Sequence, residues 1–175
     1  MHLRPALPAD VSALEALIAV SARGLSRDDY SDIEIESLVA HVFGVDSELV
    51  ADGTYLMIEA DGRPVACGGW SRRRTLFGGD QYADRESGFL DPAVDAAKIR
   101  AFFVHPDFAR QGLGACLLNA CEEAARAAGF TRMEMMATLP GVKLYRALGY
   151  TGDAPRIFDL PDGMAVTFVP MSKSL

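Results

Sequence analysis

The stretch VHPDFARQGLGACLL, residues 104–118, sets Gly112 and Gly114 one residue apart at the head of an apolar run. The spacing predicts a helix over Leu113 to Ala128, and KIRAFFV (98–104) before it reads as a strand. A strand, a short loop and a helix start leave several backbone N–H groups without helical acceptors. Glycines keep side chains out of their way, so the turn suits an anion. Arg110 adds a cation beside it. Two common phosphate loops fit poorly. G-x-G-x-x-G requires glycine where Leu117 stands, and Gly-Lys-Ser/Thr is absent.

A second group of candidates surrounds the irregular stretch Ser71 to Ala97. Asp80, Asp84, Glu86, Asp91 and Asp95 are acids able to bind a cationic amine or relay its proton. Trp70, Phe77 and Tyr82 are placed to wall a pocket, and Arg72-Arg73-Arg74 to keep the loop solvated or to meet a phosphate. His105 has the side chain of a general base, yet its place before the glycine turn suits a surface or capping role better. Cys67, Cys116 and Cys121 are odd in number and lack metal-ligand spacing, so neither a disulfide framework nor a metal site is expected.

These residues need a scaffold, and the pattern supplies one. Leu3 to Leu7 reads as a strand, followed by a helix capped by Asp10 and ended by Gly24. Ser31 to Phe43 reads as a second helix, closed by Gly44. TYLMIEADGRPVACGGW (54–70) is a hairpin about Asp61-Gly62. After the 98–104 strand and the long helix come TRMEMMA as a strand and Pro140 to Leu148 as a short helix. Tyr150 to Phe158 and Met164 to Met171 form a closing hairpin. The order is βααβββαβαββ, a mixed α/β fold with helices on both faces of the sheet.

FFVHPDFARQGLGACLL resembles motif A of the GCN5-related N-acetyltransferase (GNAT) family, and TLPGVKLYRALGY resembles its motif B. The separation of the motifs and the element order also match, and the resemblance runs from Leu3 to the last strand. Three positions depart from the family pattern. Ala109 stands where motif A usually begins with Arg or Gln, and Thr138 stands where many members have Asn. Lys98 stands where the histone-modifying branch has a catalytic Glu.

The resemblance implies a single acetyltransferase domain over residues 1–175, with a mostly antiparallel central sheet whose middle strands splay apart. It implies acetyl-CoA as cosubstrate and no metal. Phe102, Phe103 and Val104 would pair with the pantetheine arm, and Arg110, Gln111, Gly112, Leu113, Gly114 and Ala115 would hold the pyrophosphate. A backbone N–H near Val104 would serve the oxyanion, and Tyr145 would be the general acid toward the CoA sulfur. Trp70, Tyr82 and Glu86 are the candidates for acceptor contact. The expected reaction is acetyl transfer to a primary amine of a small molecule. A peptide or protein acceptor, or a non-catalytic acyl-CoA-binding module, are the alternatives.

Charge bears on the partners. The net charge of −7 is uneven: residues 1–97 carry 8 Lys+Arg against 17 Asp+Glu, and residues 98–175 carry 9 against 7. An acidic first half disfavours nucleic acid and suits a cationic acceptor, while the second half tolerates an anionic ligand. No secretory signal or membrane span is read, so a cytoplasmic protein is expected. Dimers are common in the family, which leaves a homodimer open.

Overall fold

In the computed structural model, which describes residues 1–175, strand alternation and helix periodicity bury apolar side chains on both faces of one sheet. The strands are β1 (His2–Pro5), β2 (Tyr55–Ala60), β3 (Arg63–Ser71), β4 (Ala97–Val104), β5 (Arg132–Thr138), β6 (Arg156–Asp159) and β7 (Ala165–Ser174). They lie in the order β1-β2-β3-β4-β5-β7-β6. Every neighbouring pair is antiparallel except β4 and β5. The helices are α1 (Val11–Leu25), α2 (Asp32–His41), α3 (Ser47–Ala51), α4 (Leu113–Ala127) and α5 (Val142–Ala147).

On β5, Met133, Met135 and Ala137 point to one face and bury against Leu118, Cys121 and Ala125 of α4, while Met136 packs on the other face. That second face carries Leu14, Leu17 and Ile18 of α1 and Ile35 and Leu38 of α2. Helices therefore cover both faces of a mostly antiparallel sheet, as expected. The β2–β3 turn also follows its residues: Asp61 and Gly62 have φ of 50° and 73°, the pair of left-handed conformations a two-residue hairpin needs.

Several local expectations are corrected. Helix α1 passes through Gly24, which is there for closeness: a Cβ would stand 2.4 Å from Cγ of Pro106. Asp10 does not cap α1 from its N-cap position. Its carboxylate takes the Leu7 N–H at 2.8 Å and the Arg4 guanidinium at 2.7 and 2.9 Å, closing a 3-10 turn over Pro8–Asp10. Helix α2 ends at His41, before Gly44. The added helix α3 makes the order βαααβββαβαββ. Its cap is Asp46, which accepts from Glu48 N at 3.0 Å and Leu49 N at 3.4 Å. Tyr150 belongs to the α4-side core rather than to β6, which starts at Arg156.

Candidate active site

Strands β4 and β5 pair only at Ala97↔Met133 and Lys98↔Glu134. Beyond that point β4 leaves its neighbour, and its departure is built in. The register with β3 slips between Gly69↔Arg100 and Cys67↔Phe103, and Ala101 holds φ +53°, a conformation costly for a residue with a Cβ. Tyr55 Oη donates to Ala101 O at 3.1 Å and fixes the bulge. Gly68 lies opposite, where a Cβ would stand 2.5 Å from the Phe102 ring.

The divergence opens a slot of about 720 Å³. Eight of the nine residues expected to bind the cofactor line it: Phe102, Phe103 and Val104 from β4, and Arg110, Gly112, Leu113, Gly114 and Ala115 from the turn and first residues of α4. Gln111 faces elsewhere; its Nε2 donates to Asp107 O at 3.2 Å and braces the loop. Gly112 is the N-cap of α4 at φ +82°, with nothing within 4 Å of a built Cβ, so conformation and not crowding requires glycine there. Gly114 has the opposite reason: a Cβ would stand 2.9 Å from Cδ2 of Leu144 on α5. The helix ladder starts with Cys116 N–H on Gly112 O at 2.9 Å. The N–H groups of Leu113, Gly114 and Ala115 precede that bond, which gives the slot three helix-start donors beside exposed Arg110.

His105 N–H goes to Val65 O on β3 at 2.8 Å, so by alternation the Val104 N–H points to the open edge of β4. There it donates to Ser21 Oγ of α1 at 3.2 Å. The donor expected to serve an oxyanion is thus already engaged by Ser21, a buried serine on the slot wall that sequence reasoning missed. His105 has the capping role expected of it: Nδ1 accepts from Asp107 N–H at 3.2 Å. Lys98, where the histone-modifying branch was expected to carry a catalytic Glu, pairs across the strands with Glu134.

A smaller cavity of about 60 Å³ adjoins the slot and shares Phe43, Phe102, Phe103 and Thr138 with it. Phe77, Met135, Met136 and Phe168 make its walls apolar, and Tyr145 and Arg100 are the only titratable side chains that line it. Tyr145 sits on α5, 7% exposed, edge-on to Phe102 and Tyr150 at centroid distances of 6.4 and 6.0 Å. Burial first, then the neighbouring Cys121, raises its phenol well above the ordinary value near 10. It therefore keeps its proton across the neutral and mildly alkaline range.

Arg100 is the residue the sequence hid. Its side chain is 1% exposed; Nη2 donates to Asp46 Oδ2 and to Gly78 O, both at 2.6 Å, and Nη1 to Thr75 O at 2.8 Å. Arg85 joins the cluster through Asp46 at 3.1 Å and Glu48 at 2.7 Å. The signal was a cation inside the apolar strand KIRAFFV; its partner, 54 residues away, left no trace in any motif.

The loop candidates scatter. Trp70 packs on Phe130 at 6.1 Å in the α4-side core, outside both cavities. Phe77 lines the small cavity as expected, and Tyr82 backs it at 4.6 Å. Glu86 is exposed outside both cavities, and its main chain is held by Thr75 Oγ1 at 2.8 and 3.1 Å. Asp80 accepts from Ser47 N at 3.0 Å, and Asp91 and Asp95 close their own turn. Arg73 is held by Asp52 at 2.7 and 2.8 Å and stacks on Phe89, so it is committed to fastening the loop.

A family model described as the acetyltransferase (GNAT) family matches residues 20–150. No curated protein sequence matches the chain. Among solved structures, the GCN5-related N-acetyltransferase from Rhodopseudomonas palustris aligns with a TM-score of 0.73 at 23% identity, over 99% of this chain and 95% of that one. The PaiA N-acetyltransferase of Thermoplasma acidophilum, in complex with coenzyme A, aligns at 0.64 and 14% identity, over 99% and 98%. YncA of Salmonella typhimurium, with acetyl-CoA, aligns at 0.64 and 18% identity, over 100% and 94%. With its strand divergence, its glycine turn and a family match over most of its length, the chain belongs to the acetyltransferase (GNAT) family.

Proposed function

We propose that the protein is a single-domain cytoplasmic enzyme that transfers the acetyl group of acetyl-CoA to a primary amine of a small molecule, by direct attack in a ternary complex. The observation that carries this reading is the junction of the two cavities at Phe102 and Phe103, beside Tyr145. The large slot suits a long anionic ligand: three helix-start N–H groups and Arg110 lie at one end, and the open edge of β4 runs along it. The structures of PaiA and YncA, which hold coenzyme A and acetyl-CoA, support the same assignment. The small cavity, at about 60 Å³, favours a compact acceptor over a folded protein surface.

When bound, acetyl-CoA supplies an activated thioester; the chain supplies position and protons. An alkyl amine of pKa about 10.4 is neutral in roughly one molecule in 2,500 at pH 7, a cost of about 4.6 kcal/mol. No carboxylate lines the small cavity, so the proton leaves through solvent before the amine enters. As the amine nitrogen bonds to the acetyl carbon and the carbon–sulfur bond breaks, Tyr145, protonated and desolvated at the junction, donates to the departing sulfur, and the proton shed by the acylated nitrogen restores the phenol.

Calorimetric titration with acetyl-CoA tests the reading. Micromolar binding is expected in the native chain and its loss in Gly112→Glu, which sets a carboxylate among the helix-start donors. Arg110→Gly relieves φ +64° while deleting the cation, and should weaken binding several-fold without harming the fold. No heat with the native protein would overturn the assignment; binding without thiol release toward any amine would leave a binding module.

A further inference from the structure

Resting on the acetyltransferase reading, we infer that Arg100 selects the acceptor: the amine carries a neutral carbonyl oxygen on the adjacent carbon, as in an α-amino amide, and Arg100 Nε–H donates to that oxygen. Nε is buried and has no hydrogen-bond partner, although the two terminal nitrogens of the same guanidinium make three bonds. A buried donor left unpaired is destabilising, and a native fold retains one where a ligand or water completes it. The open space beside this side chain is the small cavity, whose wall includes Arg100 and which adjoins the slot where the thioester is bound in the proposed complex.

Charge decides between a carboxylate and a neutral oxygen. Arg100, Arg85 and Arg73 carry three positive charges, and Asp46, Glu48 and Asp52, their direct partners, carry three negative ones. The cluster sums to zero. The cavity therefore presents one N–H dipole within apolar walls rather than a net positive charge. An incoming carboxylate would be desolvated near Asp46 with no free cation to offset the cost. A carbonyl oxygen loses little on entering and completes the donor set. A site built around such a hydrogen bond rejects analogues that lack it far more strongly than a hydrophobic pocket rejects a missing methylene.

Three amines with one side chain read this out: leucinamide, leucine and 3-methylbutylamine, the last lacking the carbonyl. Thiol release from acetyl-CoA gives kcat/KM for each, expressed per neutral amine at the assay pH, because an α-amine beside a carbonyl titrates at about 8 and an alkyl amine at about 10.4. The native protein should prefer leucinamide over 3-methylbutylamine by tenfold or more and should not prefer leucine. In Arg100→Lys, which keeps a cation for Asp46 and removes Nε–H, the ratio should fall to within about threefold. The ratio cancels any effect of the substitution common to both amines, and the native comparison needs no variant. A native ratio near one, a preference for leucine, no turnover of all three, or an unchanged ratio in Arg100→Lys overturns the inference. Acetyl-CoA binding, measured separately by calorimetry, would still stand in those cases; its absence would overturn the acetyltransferase reading as well.

Discussion

In the proposed reaction, Tyr145 concentrates the chemistry of the junction in one hydroxyl. A phenol held protonated by burial remains an acid where the amine substrate becomes increasingly neutral, so the two titrations favour turnover in the same direction. The folded-state value lies above 10, so the acid form is complete below 10 and is lost only as pH rises through that higher value. With an alkyl amine such as 3-methylbutylamine, turnover should climb from about pH 7 to 10 as the amine deprotonates, and with leucinamide it should level off at about pH 9, in neither case with a descending limb. Tyr145→Phe should lower kcat about 10²-fold with acetyl-CoA affinity nearly unchanged. A full-rate Phe variant, or a rate that falls above pH 8.5, would take Tyr145 out of the reaction. The place of Tyr145 at the small cavity was legible because its motif is local; those of Ser21 and Arg100 were not. Their partners, Val104 and Asp46, are 83 and 54 residues away, and only the folded chain brings them together.

Among the elements, α4 and α5 form the hinge of the site. Gly114 lets Leu144 lie against the first turn of α4, and Leu144 precedes Tyr145 on α5, so one close contact relates the glycine turn to Tyr145. Gly114→Val would push α5 outward. A loss of about 1–3 kcal/mol of stability is expected from overpacking, and kcat should fall further than acetyl-CoA affinity because Tyr145 moves with Leu144. Equal kcat and melting temperature would show that Leu144 simply rotates away. Most elements could be read from periodicity, since apolar spacing is a property of one segment. The misreadings share a cause. Gly24 resembles a helix stop but exists for Pro106, and α3 is too short at 5 residues to show a period, needing the Asp46 cap and the 71–97 loop to hold it.

Across the whole molecule, one ionic cluster does what no single segment can. Asp46 at the start of α3 accepts from Arg100 on β4 and Arg85 in the loop, while Arg100 and Arg85 also hold the carbonyls of Thr75, Gly78 and Gly79. The irregular stretch between β3 and β4 thereby becomes a wall of the small cavity, although it contains no strand or helix of its own. Buried ion pairs of this kind add little net stability when complete and cost much when broken. Asp46→Asn should therefore lose about 3–5 kcal/mol, lowering the melting temperature by roughly 10 °C for a chain of this size. Asp46→Asn with Arg100→Met should recover most of that loss, because Arg85 keeps Glu48 and no buried cation is left alone. Acetyl-CoA binding should survive in the double variant, since none of the slot's helix-start donors depends on the cluster, while leucinamide preference should disappear. A double variant no more stable than the single one would mean that the loss does not come from a stranded Arg100, since asparagine still caps α3, and the cavity wall would then owe its shape to contacts other than this ion pair.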